Sequence, residues 1–292
     1  MRKRKPEHLL QSPPFTHVAC DLLGPYKCKS MINARALMKV WGVIYVCQGT
    51  GAVRAYLCPG YDTKSFLTAH KKFLAHSGNQ VTITSDQGSQ LKKAAKVLEI
   101  NEAENPANWD WNSVKSAGAR LGTDWVFLPP GTQWRNRAEA AVKVLKSTLK
   151  LTISSQTKLN FSELETVLMN AANMMNNRPL TVKVYDDYTF HPLTVNQLLL
   201  GRTETRIDEQ EYHMAGTTLE RLQFREEIET SWWKQFYSQV LPSLLPYTKW
   251  KDEYPNREVG DIILIQYPGL KEAEYRLAKV DNVHYDKEGK VR

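Results

Sequence analysis

The stretch Val81-Thr82-Ile83-Thr84-Ser85-Asp86-Gln87-Gly88 constrains this chain more than any other. β-Branched residues dominate positions 81–84 and favour an extended strand, while Asp-Gln-Gly is turn chemistry. A buried strand that ends on an acidic residue places a carboxylate where open α/β sheets carry their chemistry. Taken singly, such an aspartate is usually a turn or cap residue and not a site. Two further acidic residues fall at comparable places. Asp21 closes the strand-like run 15–20, and Glu139 lies in the first turn of a helix expected to begin near Asn136.

In chain order, residues 1–14 form a basic tail, Arg2-Lys3-Arg4-Lys5 followed by Pro13-Pro14, expected to be solvated. The strand at 15–20 should stop at Gly24-Pro25, with 27–38 a polar, basic, exposed hairpin connection. The apolar run 40–47 suits a strand buried on both faces, and after a turn at Gly49 and Gly51 residues 52–57 return as a third strand. Three strands with short turns predict an antiparallel meander. Residues 63–76 read as a helix capped by Thr63, with Phe66, Leu67, Phe73 and Leu74 inward and His70 and His76 on its surface. The strand at 81–85 follows, then a basic amphipathic helix at 91–98.

Residues 100–121 are irregular, with Trp109 and Trp111 expected to pin them to the body and a short helix at 113–120. A fifth strand at 123–128 is stopped by Pro129-Pro130-Gly131 and leads into a helix at 136–150. Another helix, 161–176, turns Leu164, Val167, Leu168, Ala171 and Met175 to the core and ends before Pro179. A short helix at 193–200 closes at Gly201. Beyond a polar stretch at 203–216, residues 219–245 read as an aromatic-rich helix with Phe224, Trp232, Trp233, Phe236 and Tyr237. Strands at 259–266 and 275–283 predict a small β-barrel, expected to be cut short at Arg292. The expected division is therefore a tail at 1–14, a catalytic core at 15–202, a linker and helix at 203–248, and a barrel at 249–292.

A hydrophobic fraction of 42% supports a sizeable core, and no apolar run reaches the roughly eighteen residues a membrane span needs. The formal net charge of +8 suits a polyanionic partner. Cys20, Cys28, Cys47 and Cys58 form no Cys-x-x-Cys pair and are expected to be buried free thiols; with the histidines they show no zinc-ligand spacing.

The element order, three strands, helix, strand, helix, strand, helix, is the ribonuclease-H-like order: an α/β fold with a mixed five-stranded sheet and flanking helices. In that arrangement the first and fourth strands are neighbours, so Asp21 and Asp86 face each other and Glu139 approaches from the helix after strand five. Three converging carboxylates repel one another unless a cation fills the site. Hard oxygen donors select Mg²⁺ or Mn²⁺. Two such ions support an in-line phosphoryl displacement by water or by a DNA 3′-hydroxyl. Lys143 and Lys146 follow Glu139 at i+4 and i+7 and share its helix face; lysines there can hold phosphates, but on spacing alone a solvated face with an i,i+4 Glu–Lys pair is the ordinary reading.

Several motifs together resemble the integrase core of BEL/Pao-type LTR retrotransposons. They are Phe15-Thr-His-Val-Ala-Cys-Asp21-Leu-Leu-Gly-Pro, Lys39-Val-Trp-Gly-Val-Ile-Tyr-Val-Cys47, Thr84-Ser-Asp86-Gln-Gly88, and Phe127-Leu-Pro-Pro-Gly-Thr-Gln-Trp134 followed by Glu139. Asn177-Arg-Pro-Leu-Thr181 and Leu193-Thr-Val-Asn-Gln-Leu-Leu-Leu-Gly-Arg202 belong to the same set, and residues 232–250 with Gly260-Asp-Ile-Ile-Leu-Ile resemble the SH3-like region of those polyproteins. The resemblance implies an Asp-Asp-Glu integrase of the retroviral-integrase superfamily. It implies a nuclear enzyme that binds two Mg²⁺ or Mn²⁺ ions, trims DNA 3′ ends and joins them to target DNA, usually as a homo-oligomer. Asp21, Asp86 and Glu139 match its metal-binding triad, and Lys143 and Lys146 match positions that contact the DNA end. The chain departs from the family at Arg135 and Asn136, where two glycines are usual, and carries no zinc module before the core. Two other readings stand beside it: a domesticated or decayed DNA-binding protein without catalysis, and a two-metal nuclease with water as nucleophile.

Overall fold

The computed structural model describes residues 12–30, 36–86, 123–128, 141–146, 159–184, 190–201, 223, 227–234, 236, 238, 256–265, 275–286 and 289–291. At its centre is a five-stranded sheet of order β3-β2-β1-β4-β5, built from β1 (His17–Lys29), β2 (Leu37–Cys47), β3 (Val53–Cys58), β4 (Thr82–Asp86) and β5 (Asp124–Leu128). β1, β2 and β3 pair antiparallel, and β4 and β5 run parallel to β1. The sheet is therefore mixed and ribonuclease-H-like, as the element order predicts.

Alternation along the strands sorts the core into two layers. On one face Ala19, Leu23, Ile44, Val46, Ala55 and Leu57 pack with the helix α2 (Phe161–Asn176) and with Val142 and Leu145 of the helical residues 141–146. On the other, Val18, Cys20, Val43, Tyr45 and Tyr56 pack with α1 (Thr63–Ser77). All five inward positions expected on α2 are buried. Its start is fixed by a capping box between Asn160 and Glu163. Near its end, the Asn176 amide accepts from the Val53 N–H at 2.7 Å and donates to the Val53 carbonyl at 2.8 Å, tying the edge strand to the helix. Two further pairs flank this body. The hairpin β6 (Pro179–Val184) and β7 (Phe190–Thr194) leads into α3 (Val195–Leu200), which ends at Gly201 in the left-handed conformation. β8 (Ile262–Ile265) and β9 (Arg276–Lys279) form a separate two-stranded sheet.

Four expectations are corrected. β1 does not stop at Gly24-Pro25 but runs to Lys29: Gly24 takes φ 118°, the register shifts between Leu23 and Tyr26, and pairing resumes at Tyr26↔Val40. A glycine accommodates this bulge because a Cβ there would meet the Val40 carbonyl oxygen at 3.2 Å. The N-cap of α1 is Asp62, whose carboxylate accepts from Ser65 N–H at 2.9 Å, and not Thr63. Leu193 and Thr194 belong to β7, so α3 begins later than its apolar run suggests. Finally, His70 is buried, not on the helix surface. The expected helices at 91–98 and 113–120, and Trp109 and Trp111, lie outside the described residues, as do residues 1–11 of the basic tail.

His70 sits among aromatic rings. Tyr45 stacks on Phe73 at 3.8 Å between centroids, and its hydroxyl lies 3.0 Å from His70 Nδ1, while His70 Nε2 has no hydrogen-bond partner among the described residues. Burial disfavours the charged imidazolium and pushes the His70 pKa down to about 4. Unfolded, the same side chain titrates near pH 6.5. Below that pH the unfolded chain takes up a proton that the folded one refuses. Stability is therefore complete above about pH 6.5, falls as pH drops towards 4, and loses no more from this group below that. The full effect is about 3 kcal/mol. Denaturant titrations at pH 7 and pH 4.5 are expected to show a loss about 2 kcal/mol smaller in His70→Gln than in the wild type; equal losses would mean that His70 is not the sensor.

The candidate carboxylate site

The site is built at the end of the sheet where β1 and β4 run side by side. Their parallel register pairs His17 with Thr82 and continues step by step to Cys20 with Ser85. One residue further on each strand are Asp21 and Asp86. Asp86 is the last residue of β4, and its backbone pairs across to Leu128 of β5. Neighbouring strands lie about 4.8 Å apart, so the two aspartates occupy adjacent strand positions.

Asp21 shares the parity of Ala19 and Leu23, and its side chain is therefore on the α2 face of the sheet. Its Oδ1 accepts from the Leu22 N–H at 2.7 Å, and its Oδ2 lies 3.8 Å from Lys146 Nζ. That second contact is a charge pair rather than a tight hydrogen bond. Its lysine end is partly solvated, so it adds less than about 1 kcal/mol to stability. Val142 and Leu145, buried beneath the helical residues 141–146, hold this segment against the sheet and so bring Lys146 to Asp21. Lys143 is exposed.

The Asp21 charge reaches two other groups. Burial first, and Asp21 second, push the Cys20 thiol well up, which leaves it protonated and unreactive. The same two causes, in the same order, raise the Tyr61 phenol, whose ring packs on Trp41 at 4.9 Å between centroids. Sequence reasoning does not mark Tyr61, because nothing in the β3–α1 connection signals that it lies within electrostatic reach of Asp21. It also treats Lys146 as a phosphate contact alone and does not anticipate its pairing with Asp21. All four cysteines are free and buried.

Of the five site residues expected from sequence, the structure brings Asp21 and Lys146 together, puts the Asp86 backbone beside Asp21, and leaves Lys143 on the surface. Glu139, with Arg135 and Asn136, lies outside the described residues. Among the described residues no three His, Cys, Asp or Glu side chains form a metal-binding group. The donor chemistry nevertheless suits a hard divalent cation: two aspartates at neighbouring strand positions, with the Asp21 carboxylate partly buried, are oxygen donors of the kind Mg²⁺ and Mn²⁺ take. Among the described residues, no helix is long and apolar enough to cross a membrane.

Residues 220–292 match a family model described as a family of unknown function (DUF5641). No curated protein matches the sequence. The structure is similar to a chain in the cryoEM structure of the simian T-cell lymphotropic virus intasome in complex with PP2A regulatory subunit B56 gamma, at 15% identity and a TM-score of 0.42. That alignment covers 70% of this chain and 61% of the other, so the present chain spans about three fifths of its length. It is also similar to the HTLV-2 integrase catalytic core domain in complex with magnesium, in its dimeric form. Here the identity is 14% and the TM-score 0.38, over 64% of this chain and 97% of that one.

Proposed function

We propose that this protein is a metal-dependent polynucleotidyl transferase of the integrase type, of BEL/Pao-type retrotransposon origin, which trims DNA 3′ ends and joins them to target DNA. The observation that carries the reading is the β1–β4 register, which runs from His17↔Thr82 to Cys20↔Ser85 and so leads directly to Asp21 and Asp86. In this reading Asp21, Asp86 and Glu139 hold two Mg²⁺ or Mn²⁺ ions. When bound, those ions supply Lewis-acid stabilisation of the reacting phosphoryl group and activate the attacking oxygen.

The chain's own residues do the rest. The two aspartates sit on rigid, hydrogen-bonded strands, so their backbones need little rearrangement before substrate arrives. The Leu22 N–H fixes one oxygen of Asp21 and leaves the orientation of its carboxylate defined. Lys146, 3.8 Å from that carboxylate, brings a positive charge to the place where a DNA phosphate has to sit. Lys143, exposed three residues earlier, extends the same basic helix segment outward. The reading includes a homo-oligomeric assembly, a nuclear site of action, and the division into tail, core, linker helix and SH3-like barrel given above.

The test is a joining reaction. Short duplexes bearing candidate terminal-repeat ends are incubated with the protein, Mg²⁺ and a plasmid target. Joined product is expected. Cleavage without joining would assign a two-metal nuclease, and tight binding with neither product would assign a DNA-binding protein without catalysis.

A further inference from the structure

The bulge at Gly24 lets β1 and β2 continue beyond the body of the sheet. β1 pairs with β4 only as far as Cys20, and β2 pairs with β3 only from Trp41 onward, whereas the β1–β2 pairing runs on through Tyr26↔Val40, Lys27↔Lys39, Cys28↔Met38 and Lys29↔Leu37. The result is a two-stranded ribbon with two unlike faces. Cys28 and Val40 are fully buried on one of them, with Tyr26 and Met38 packed alongside, and the Lys29 N–H donates to the Leu159 carbonyl at 2.8 Å. That face is pinned to the α2 layer.

Strand alternation turns Lys27, Lys29 and Lys39 to the other face. Lys27 and Lys39 are both exposed and stand directly opposite each other. Like charges at opposed positions disfavour strand pairing. The buried face, Cys28 and Val40 with their neighbours, holds the ribbon to the α2 layer. Two ammonium groups on long stems, opposite each other on the exposed face of the ribbon, suit a polymer that carries one charge per strand about every 3.4 Å of axis. Lys143 and Lys146 belong to the helical segment packed on the opposite face of the sheet, so the ribbon lysines do not simply extend them.

We infer that the outward face of the β1–β2 ribbon, carrying Lys27, Lys29 and Lys39, is a second contact for the phosphate backbone of duplex DNA, separate from the carboxylate pair. This rests on the reading that DNA is the substrate. Lys27 lies six residues beyond Asp21 on β1, one of them absorbed by the bulge, so the ladder separates them by roughly 17 Å or about five base-pair steps.

The experiment measures binding of the full chain to a labelled random-sequence duplex over a range of salt concentrations. The Lys27→Gln/Lys39→Gln variant is expected to bind roughly tenfold more weakly at low salt, and its dependence of log K on log salt should be shallower by about two units. The Lys27→Arg/Lys39→Arg variant should bind like the wild type with an unchanged melting temperature, and the Gln variant should melt no lower than the wild type, since it relieves the opposed charges. An unchanged slope in the Gln variant overturns the inference. So does an equal loss in the Arg variant, which would indicate packing and not charge. If the joining reaction fails while the lysine effect stands, the catalytic reading falls and the DNA contact survives.

Discussion

Trp232→Ala is expected to destabilise the protein by about 4 kcal/mol, the usual cost of emptying a large aromatic site. Trp232 is 1% exposed and stacks on Phe236 at 5.1 Å between centroids; Trp233 stacks on Phe236 at 5.8 Å. With Ile228 these rings join the same core cluster as Ile44 of the sheet and Leu164 and Leu168 of α2. A polar contact locks the packing: Asn170 donates to the Glu229 carboxylate at 2.8 Å. The segment matched by the DUF5641 model thus contains helical residues that share their core with the five-stranded sheet. Unfolding by denaturant measures the effect, with the exposed Ser238→Ala as a control expected to change stability by less than about 0.5 kcal/mol. A Trp232→Ala loss below about 1 kcal/mol would mean that this helix is peripheral.

Asp21→Asn is expected to cost at least about 10³-fold in the joining reaction, or roughly 4 kcal/mol of transition-state stabilisation, while the fold persists. Asparagine keeps an oxygen to accept the Leu22 N–H, and the lost pairing with Lys146 is worth less than about 1 kcal/mol. Stability and activity therefore separate in this variant. A parallel fall in both would assign Asp21 a structural role.

Much of this architecture is legible from residue pattern. The run from Trp41 to Cys47 is uniformly apolar because both sheet faces are covered, and α2 shows its inward face at Leu164, Val167 and Leu168 through simple helical spacing. The pairing of β1 with β4, and with it the adjacency of Asp21 and Asp86, follows from element order. What pattern misses depends on tertiary context. His70 is polar by type, yet it is buried because Tyr45 and the rings of Phe66, Phe73 and Trp125 surround it. Gly24-Pro25 signals a stop, yet pairing with β2 carries the strand through it, since the energy of the β1–β2 ladder beyond the bulge outweighs the local preference. The β6–β7 hairpin is hidden by its prolines, Pro179 and Pro192, which lack the N–H that marks a strand position. The contact between Lys146 and Asp21 joins residues far apart in sequence and leaves no local trace.

The most direct test of the central claim compares wild type and Asp86→Asn in the Mg²⁺-dependent joining reaction, with DNA binding and melting temperature recorded on the same samples. The account predicts joined product from the wild type, none from Asp86→Asn, and unchanged binding and stability. Joining by Asp86→Asn at the wild-type rate would contradict it, because Asp86 would then have no part in the chemistry.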